Sequence, residues 1–233
     1  MKFPFLISSS LLLILSLINI LHRGLLEANI YKATGDAFLY DTFSGETMKI
    51  GDKIPEMTLE AYQNDKTVKI DLAKQKGQWL VLLFYPADFT FVCPTELTEA
   101  ADLYDAFKKE GAEIMSVSTD TVFVHKAWHD NSESIRKITY PMLADPTGEL
   151  CKALGTYIDR EGLSLRGTFI FDPDGKLVSM HIHSNDIGRN ANEILRQLQA
   201  AKFVRENPGR VCPANWHPGE KTLKPGMDLV GKI

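Results

Sequence analysis

The chain is short of cysteine, and the few cysteines it has are far apart. Only three occur in 233 residues, at Cys93, Cys151 and Cys212. No two of them are separated by two residues, which excludes a four-thiolate zinc site and a local redox pair of the CxxC type. Three cysteines are also too few for a disulfide-dense scaffold. The cysteines therefore cannot close a local disulfide within the chain.

Basic charge and glycine-rich motifs are lacking as well. The formal net charge is −4, whereas a surface that binds nucleic acid is basic, so we expect no nucleic-acid partner. The chain has no glycine-rich nucleotide fingerprint, and its "DPTG" and "DPDG" stretches are typical of turns. We therefore expect it to bind neither NAD nor flavin, and we expect no metal or other cofactor.

One long hydrophobic run without charge is present, over residues 3–21. As a helix it would be roughly 28 Å long, close to the hydrocarbon thickness of a bilayer. It shows no convincing small-x-small cleavage site, which favours a membrane anchor over a cleaved signal, with a buried core helix as the third alternative. Lys2 and Arg23 flank it about equally, so the orientation cannot be read. The run suggests a membrane-anchored or exported protein.

The rest of the chain divides into three parts by composition. Residues 22–47 read as a tether, residues 48–207 as the folded domain, and residues 208–233 as an arm rich in proline, glycine and lysine that carries Cys212. A further interpretation is that the true start is Met48, which would make everything upstream an extension.

Hydrophobic patterning predicts alternating strands and helices in the domain. The continuous apolar run Trp79–Tyr85 is typical of a strand buried on both faces, and further strands are predicted at 112–118, 167–171 and 176–183. Helices are predicted from residue 94 to about 109, at 121–131 and at 190–206, with a short one in "TGELCKALG". This order predicts an α/β fold, a sheet with helices on both faces.

Cys93 lies where a predicted strand meets a predicted helix, in "FYPADFTFVCPTEL". A cysteine reacts as its thiolate, which the free N–H groups and the dipole at a helix N-terminus stabilise. Arg166, just before the strand "GTFIF", is the candidate cation beside the sulfur. Thr90 lies three residues before Cys93, so one turn could bring its hydroxyl within reach of the sulfur. Pro86 and Pro94 can shield the site and hold its turn.

A single reactive thiolate has a definite chemistry with peroxides. It becomes a sulfenic acid, which then needs a second thiol to form a disulfide. Glu96 occupies the position of the second cysteine in a CxxC pair, so the resolving thiol must come from elsewhere. Cys212, in "VCPANW" on the arm, is the candidate.

These motifs resemble those of a known family. "PADFTFVC" fits the PxxxTxxC pattern of peroxiredoxins, and "VCPANW" is similar to the resolving motif of their typical two-cysteine class. The stretches "VSTDT", "HKAWH", "DPTGEL", "GRNANEILR" and "MDLVGKI" extend the resemblance over roughly residues 48–233. Within that class the sequence most resembles the peroxidase component, component C, of alkyl hydroperoxide reductase.

The resemblance implies a thioredoxin-like fold, with a central mixed sheet flanked by helices and an extended C-terminal arm. It also implies a role for each site residue. Cys93 would be the peroxidatic cysteine, Thr90 and Arg166 would bind the peroxide and activate the sulfur, Pro86 would shield it, and Glu96 would orient the arginine.

Partners are implied in the same way. Cys212 would resolve the sulfenic acid of a partner subunit in a homodimer, with five dimers commonly forming a decamer. Electrons would come from a flavin-containing disulfide reductase or from thioredoxin. The family is usually cytoplasmic, which contrasts with the hydrophobic run at the N-terminus.

Two other functions remain open on the same frame, a holdase chaperone and a peroxide sensor that passes its disulfide to a target. Relatives that are sensitive to over-oxidation carry a GGLG loop and a C-terminal helix with Tyr-Phe. Neither motif is found in this sequence, which favours the peroxidase and predicts resistance to sulfinic acid formation.

The remaining cysteine and the histidines are given ordinary interpretations. Cys151 lies on a short amphipathic helix and is interpreted as an inert core thiol. His125 and His129 have the i,i+4 spacing of some zinc sites, but the glutamate of HExxH is missing, so packing or solvated histidines are favoured. His181 and His183 share a strand face and are interpreted as surface residues.

Overall fold

The computed structural model describes residues 47–232. The predicted hydrophobic segment at 1–21 and almost all of the predicted tether lie outside the described residues. Within the described part, no helix is both long enough and apolar enough to span a bilayer.

Nine strands are present in the described chain: β1 (Thr58–Gln63), β2 (Lys66–Asp71), β3 (Trp79–Phe84), β4 (Ala112–Ser118), β5 (Met142–Ala144), β6 (Tyr157–Ile158), β7 (Leu163–Ser164), β8 (Arg166–Phe171) and β9 (Leu177–His183). Seven of them form one sheet in the order β2-β1-β5-β4-β3-β8-β9, and β6 pairs with β7 separately. Because β3 is parallel to β4 and antiparallel to β8, the sheet is mixed. The predicted fold class is thus confirmed.

The helices lie on both faces of this sheet. They are α1 (Cys93–Asp102), α2 (Tyr104–Lys109), α3 (Val122–Asn131), α4 (Glu149–Ala153) and α5 (Ala191–Glu206). One core cluster contains Leu97, Trp128 and Leu198, from α1, α3 and α5. The other contains Leu150 of α4.

Strand β3 contributes to both clusters, as its continuous apolar sequence predicts. Val81 and Leu83 belong to the first cluster, and Leu80 and Leu82 to the second. All four side chains are buried. Side chains that alternate between two covered faces need to be apolar on both, which explains why no polar residue interrupts this strand.

The prediction of one helix from 94 to 109 was wrong, because the helix is interrupted at Leu103. That residue has φ −100° and ψ 3°, and the chain turns into α2 there. The turn places Tyr104, whose hydroxyl donates to Glu113 Oε1 at 2.5 Å and whose ring meets Tyr140 edge to face. These contacts to the sheet and to a neighbouring loop are tertiary, so helix propensity did not indicate the break.

The hairpin of β1 and β2 was not predicted. Asn64 and Asp65 form its two-residue turn, and both have positive φ, 50° and 60°. Asparagine and aspartate tolerate this conformation and are typical of such hairpin turns. The signal was therefore present in the sequence, but the polar outward face of β2 hid the strand.

The arm from residue 208 is fastened to α5 by one buried aromatic residue. Trp216 is buried and packs on Phe203 with ring centroids 5.0 Å apart. Arg196 Nη1 donates to the Trp216 carbonyl at 3.1 Å, and Val211 forms a β-bridge with Leu223. Cys212 is thereby held next to α5.

Candidate active site

Cys93 is the first residue of α1, after the loop that follows β3. Val92 is the N-cap, Pro94 occupies the first turn, and the Cys93 side chain is fully buried. Proline suits this position because its missing N–H has no partner there in any helix. The sulfur therefore lies at the positive end of a helix dipole, as the sequence predicted.

Arg166 lies beside the sulfur. Its Nη1 atom donates to Cys93 Sγ at 3.3 Å and to Glu96 Oε2 at 2.7 Å. Arg166 is the first residue of β8, which pairs with β3, so strand pairing brings together residues that are far apart in sequence. Its Nε donates to the Asn185 carbonyl at 2.9 Å, which fixes the plane of the guanidinium. The predicted pairing of Cys93 with Arg166 is present.

A second arginine, Arg189, completes the site, and sequence reasoning missed it. Its backbone N–H and its Nε donate to Glu96 Oε1 at 2.7 and 2.8 Å, and its Nη2 donates to Glu96 Oε2 at 3.1 Å. Its Nη1 also donates to the Gly167 carbonyl at 2.7 Å. The available signal was a charged residue directly before the cap of α5, in "GRNANEILR".

Glu96 is an ionised carboxylate between two guanidiniums. Burial alone would raise the pKa of Glu96, but the hydrogen bonds and charge of Arg189, together with the charge of Arg166, outweigh burial and lower it. Two guanidiniums and one carboxylate leave one positive charge in excess within a buried site. The Arg166 guanidinium, which carries part of that charge, lies 3.3 Å from Cys93 Sγ.

Pro86 and Thr90 lie in the loop before Cys93. Pro86 is buried, as expected for a shielding residue. The Thr90 hydroxyl donates to the Ala87 carbonyl at 2.9 Å, which tightens the loop and leaves the oxygen lone pairs available as acceptors. The predicted contact from Thr90 to the sulfur stays a prediction.

Cys212 lies at the other end of β3 from Cys93. It lines a groove of about 520 Å³ together with Trp79, the first residue of β3, and with Val178 and Val204. Burial raises the pKa of the Cys212 thiol, and the charge of Arg196 partly offsets that effect. The length of β3, six residues or roughly 17 Å, therefore separates the surroundings of the two thiols within one chain.

Cys151 and the four histidines singled out in the sequence lie outside the hydrogen bonds that join Cys93, Arg166 and Glu96. Cys151 is fully buried in the second core cluster, and burial raises its pKa strongly, in keeping with an inert thiol. His125 is buried and hydrogen-bonded to Asp88, His129 is partly buried, and the rings of His181 and His183 stack on β9. Among residues 47–232, no three histidine, cysteine, aspartate or glutamate side chains are arranged to hold a metal ion.

The mixed sheet with helices on both faces and the buried cysteine beside an arginine define a class of protein, a thiol oxidoreductase with a thioredoxin-like fold. Comparison with known families agrees with that class. Residues 50–180 match the AhpC/TSA family, and residues 200–230 match the C-terminal domain of 1-Cys peroxiredoxin. The second match includes the segment that carries Cys212.

Characterised relatives and solved structures are similar over most of the chain. Alkyl hydroperoxide reductase C of Pseudomonas aeruginosa is 47% identical over 184 residues, which is 79% of this chain and 98% of that protein. The Bacillus subtilis protein of the same name is 48% identical over the same shares. The structure of Enterococcus faecalis AhpC has a TM-score of 0.69 and 41% identity, covering 70% of this chain and 98% of that one. A reduced 2-Cys peroxiredoxin of Plasmodium vivax has a TM-score of 0.73 and 31% identity, covering 77% and 94%.

The chain belongs to the AhpC/TSA family. It is accordingly a peroxiredoxin, an oxidoreductase that reduces peroxides with a cysteine thiol.

Proposed function

We propose that Cys93 is the peroxidatic cysteine of a two-cysteine cycle that reduces hydrogen peroxide and organic hydroperoxides. The observation that carries this proposal is the hydrogen bond from Arg166 Nη1 to Cys93 Sγ at 3.3 Å. It places a fixed donor beside the sulfur of the first residue of α1. The names of the relatives, alkyl hydroperoxide reductase C, support the substrate class.

The first step transfers one oxygen atom to the sulfur. The Cys93 thiolate attacks the nearer peroxide oxygen, an S–O bond forms, and the O–O bond breaks. The leaving alkoxide or hydroxide takes up a proton and departs as alcohol or water. Cys93 is left as a sulfenic acid, oxidised by two electrons. Arg166, and the Thr90 hydroxyl as acceptor, would orient the peroxide, and the guanidinium would stabilise charge on the departing oxygen.

The second step forms a disulfide with Cys212 of the partner subunit. Its thiolate attacks the Cys93 sulfur, and the sulfenic oxygen leaves as water. Within one chain the two cysteines lie at opposite ends of β3, which supports a partner subunit as the source of the resolving thiol. Cys93 is fully buried in the first turn of α1, so this turn must unwind before the disulfide can form.

An external dithiol protein then reduces the disulfide and closes the cycle. We propose a flavin-containing disulfide reductase or thioredoxin as the donor, and a homodimer that assembles further into a decamer. No step of this cycle needs a metal or a prosthetic group in the chain itself.

The experiment is a non-reducing gel after one equivalent of hydrogen peroxide. It compares wild type with Cys93→Ser and Cys212→Ser, and uses Cys151→Ser as the matched control because that thiol is buried in the other core cluster. Wild type and Cys151→Ser should give a dimer that dithiothreitol reverses, and the other two variants should stay monomeric.

Two results would contradict the proposal at different points. A monomer in which both thiols are oxidised would mean an intrachain disulfide, so the assignment of the resolving cysteine to a partner would be wrong. Thiols that do not react with peroxide would reject Cys93 as the catalytic residue.

A further inference from the structure

A buried polar network lies under the loop that leads to Cys93. His125, on α3, is fully buried, and its Nδ1 is 2.8 Å from Asp88 Oδ2. The other carboxylate oxygen of Asp88 accepts from the Tyr85 hydroxyl at 2.6 Å, and its backbone N–H donates to Asp120 Oδ2 at 2.8 Å. Nothing in the peroxidase cycle proposed above uses these groups.

The proton count makes the contact between His125 and Asp88 a strong one. His125 Nε2 lies 3.1 Å from the Leu143 carbonyl, which can only accept, so Nε2 carries a proton. One further proton must then lie between Nδ1 and Asp88 Oδ2, on the nitrogen or on the oxygen. Either way the pair is neutral as a whole and fully hydrogen-bonded, which lets it remain buried at low cost.

This network divides the loop before Cys93 into two halves. Asp88 is held by its side chain and its backbone. Directly after it, Phe89 adopts φ 55° and is 56% exposed, and Phe91 is 92% exposed. A left-handed conformation costs a non-glycine residue about 1–2 kcal/mol. It persists only where the surroundings impose it, and the fixed Asp88 is its immediate neighbour.

We propose that His125 is a positioning residue of the peroxidase: by holding Asp88 it fixes the first half of the loop, which keeps Cys93 against Arg166 when peroxide arrives. The second half, residues 89–92, is the part that moves when the first turn of α1 unwinds. His125 does not touch the sulfur and acts through Asp88. The inference rests on the proposed role of Cys93 as the peroxidatic residue.

The test compares two histidines on the same helix. His125→Leu removes the contact to Asp88, whereas His125→Asn places an amide N–H where Nδ1 was and can keep it. His129→Leu is the matched control, because His129 also lies near a carbonyl, Ile138 O at 3.2 Å, and a tyrosine hydroxyl, Tyr62 at 3.2 Å, but is not bonded to the loop. Three quantities are measured on the full chain: the rate constant with hydrogen peroxide, by competition with a haem peroxidase, the rate of disulfide formation, and Tm.

In His125→Leu we expect the rate constant with peroxide to fall about tenfold, since small misplacements of reacting groups have effects of this size or larger. Disulfide formation should not slow, because it needs the unwound state. His125→Asn should recover most of the loss, and His129→Leu should lower Tm without changing either rate.

The proposal is overturned if His125→Leu reacts with peroxide as fast as wild type, or if His125→Asn is as slow as His125→Leu. It is also overturned if His129→Leu slows the reaction to the same degree. Should His125→Leu not fold, Tyr85→Phe removes one hydrogen bond to Asp88 and should slow the peroxide reaction in the same direction; an unchanged rate there rejects the proposal. If Cys93→Ser retains peroxidase activity, the proposed function itself has failed, and the two failures are thereby distinguished.

Discussion

Replacing Arg189 by methionine tests whether the charge balance around Cys93 depends on a residue that does not touch the sulfur. The side chain of Arg189 is almost completely buried, and its guanidinium makes two of the hydrogen bonds to Glu96, at 2.8 and 3.1 Å. Methionine fills much of the same space without the charge. Glu96 would keep its bond to Arg166 and the backbone N–H of residue 189.

The expected loss of stability follows from the burial of this pair. Removing one partner of a buried ion pair costs about 3–5 kcal/mol. Because Glu96 retains Arg166, we expect a free energy of unfolding about 3 kcal/mol lower, measured by urea unfolding of the reduced protein at fixed concentration. The control is Lys202→Met on α5, the helix that Arg189 precedes, where the pair with Glu110 is 3.0 Å long but both side chains are about one quarter exposed. Such a pair contributes only about 0–1 kcal/mol.

The expected loss of activity follows from the charge. Without Arg189 the carboxylate and Arg166 neutralise each other, so the site loses the excess positive charge beside the sulfur that attacks the peroxide. We expect the rate constant with peroxide to fall about tenfold, which corresponds to roughly 1.4 kcal/mol in the barrier. Arg189→Lys keeps the positive charge but cannot form the bidentate pair with Glu96. We expect this variant to have a lower free energy of unfolding than wild type but to retain more of the rate constant with peroxide than Arg189→Met. The reasoning would be refuted if Arg189→Met matched Lys202→Met in stability, or if the lysine variant were as slow as the methionine variant.

Three further predictions concern the same site. Arg166→Met removes the donor to Cys93 Sγ and should slow the peroxide reaction by about 10²–10³-fold, measured by the same competition; a change below fivefold would contradict its assignment. Wild type should be more stable than Glu96→Gln at neutral pH, and this difference should shrink as the pH falls below 4.5, the ordinary pKa of a glutamate. The reason is that the folded-state pKa of Glu96 is lowered, so protonation at low pH removes the charge that stabilises the folded state. A difference in the free energy of urea unfolding that does not depend on pH would count against an ionised Glu96. Since the sequence lacks a GGLG loop, turnover with excess peroxide should proceed without rapid sulfinic acid formation at Cys93, and mass spectrometry that finds early addition of two oxygens there would show otherwise.

The residues that could be predicted are those whose local sequence reports their environment. Cys93 stands between an apolar run and a proline at a helix start, and both signals are local. Arg166 could be predicted because it begins a recognisable strand. These same features place the strand β3 and the helix α1 nearly where the structure has them.

The residues that could not be predicted depend on contacts between distant segments. Arg189 is bound to Glu96 across the junction of α1 and α5. Neither hydrophobic periodicity nor a cap residue in the sequence indicates that these two residues form a pair. The network of His125 and Asp88 likewise joins α3 to the loop after β3. Buried polar partners are chosen by tertiary packing, so a sequence shows the polar residue but not the partner that compensates for its burial.

The two fixed points on either side of Cys93 limit how far its sulfur can travel. Asp88 is held by His125, and Glu96 is held by two arginines. If both stay in place during unwinding, only residues 89–95 are free, and Cys93 is three residues from the second fixed point. Three extended residues span roughly 10 Å, and the Cα atoms of a disulfide lie about 6 Å apart. For the proposed disulfide, Cys212 of the partner subunit would therefore have to come within about 16 Å of Glu96, measured between Cα atoms, whereas the chain's own Cys212 shares a groove with Trp79 at the far end of β3. In the proposed cycle, the hydrogen bonds that hold Asp88 and Glu96 would thus determine which second thiol Cys93 can reach, because they keep the unwound segment short.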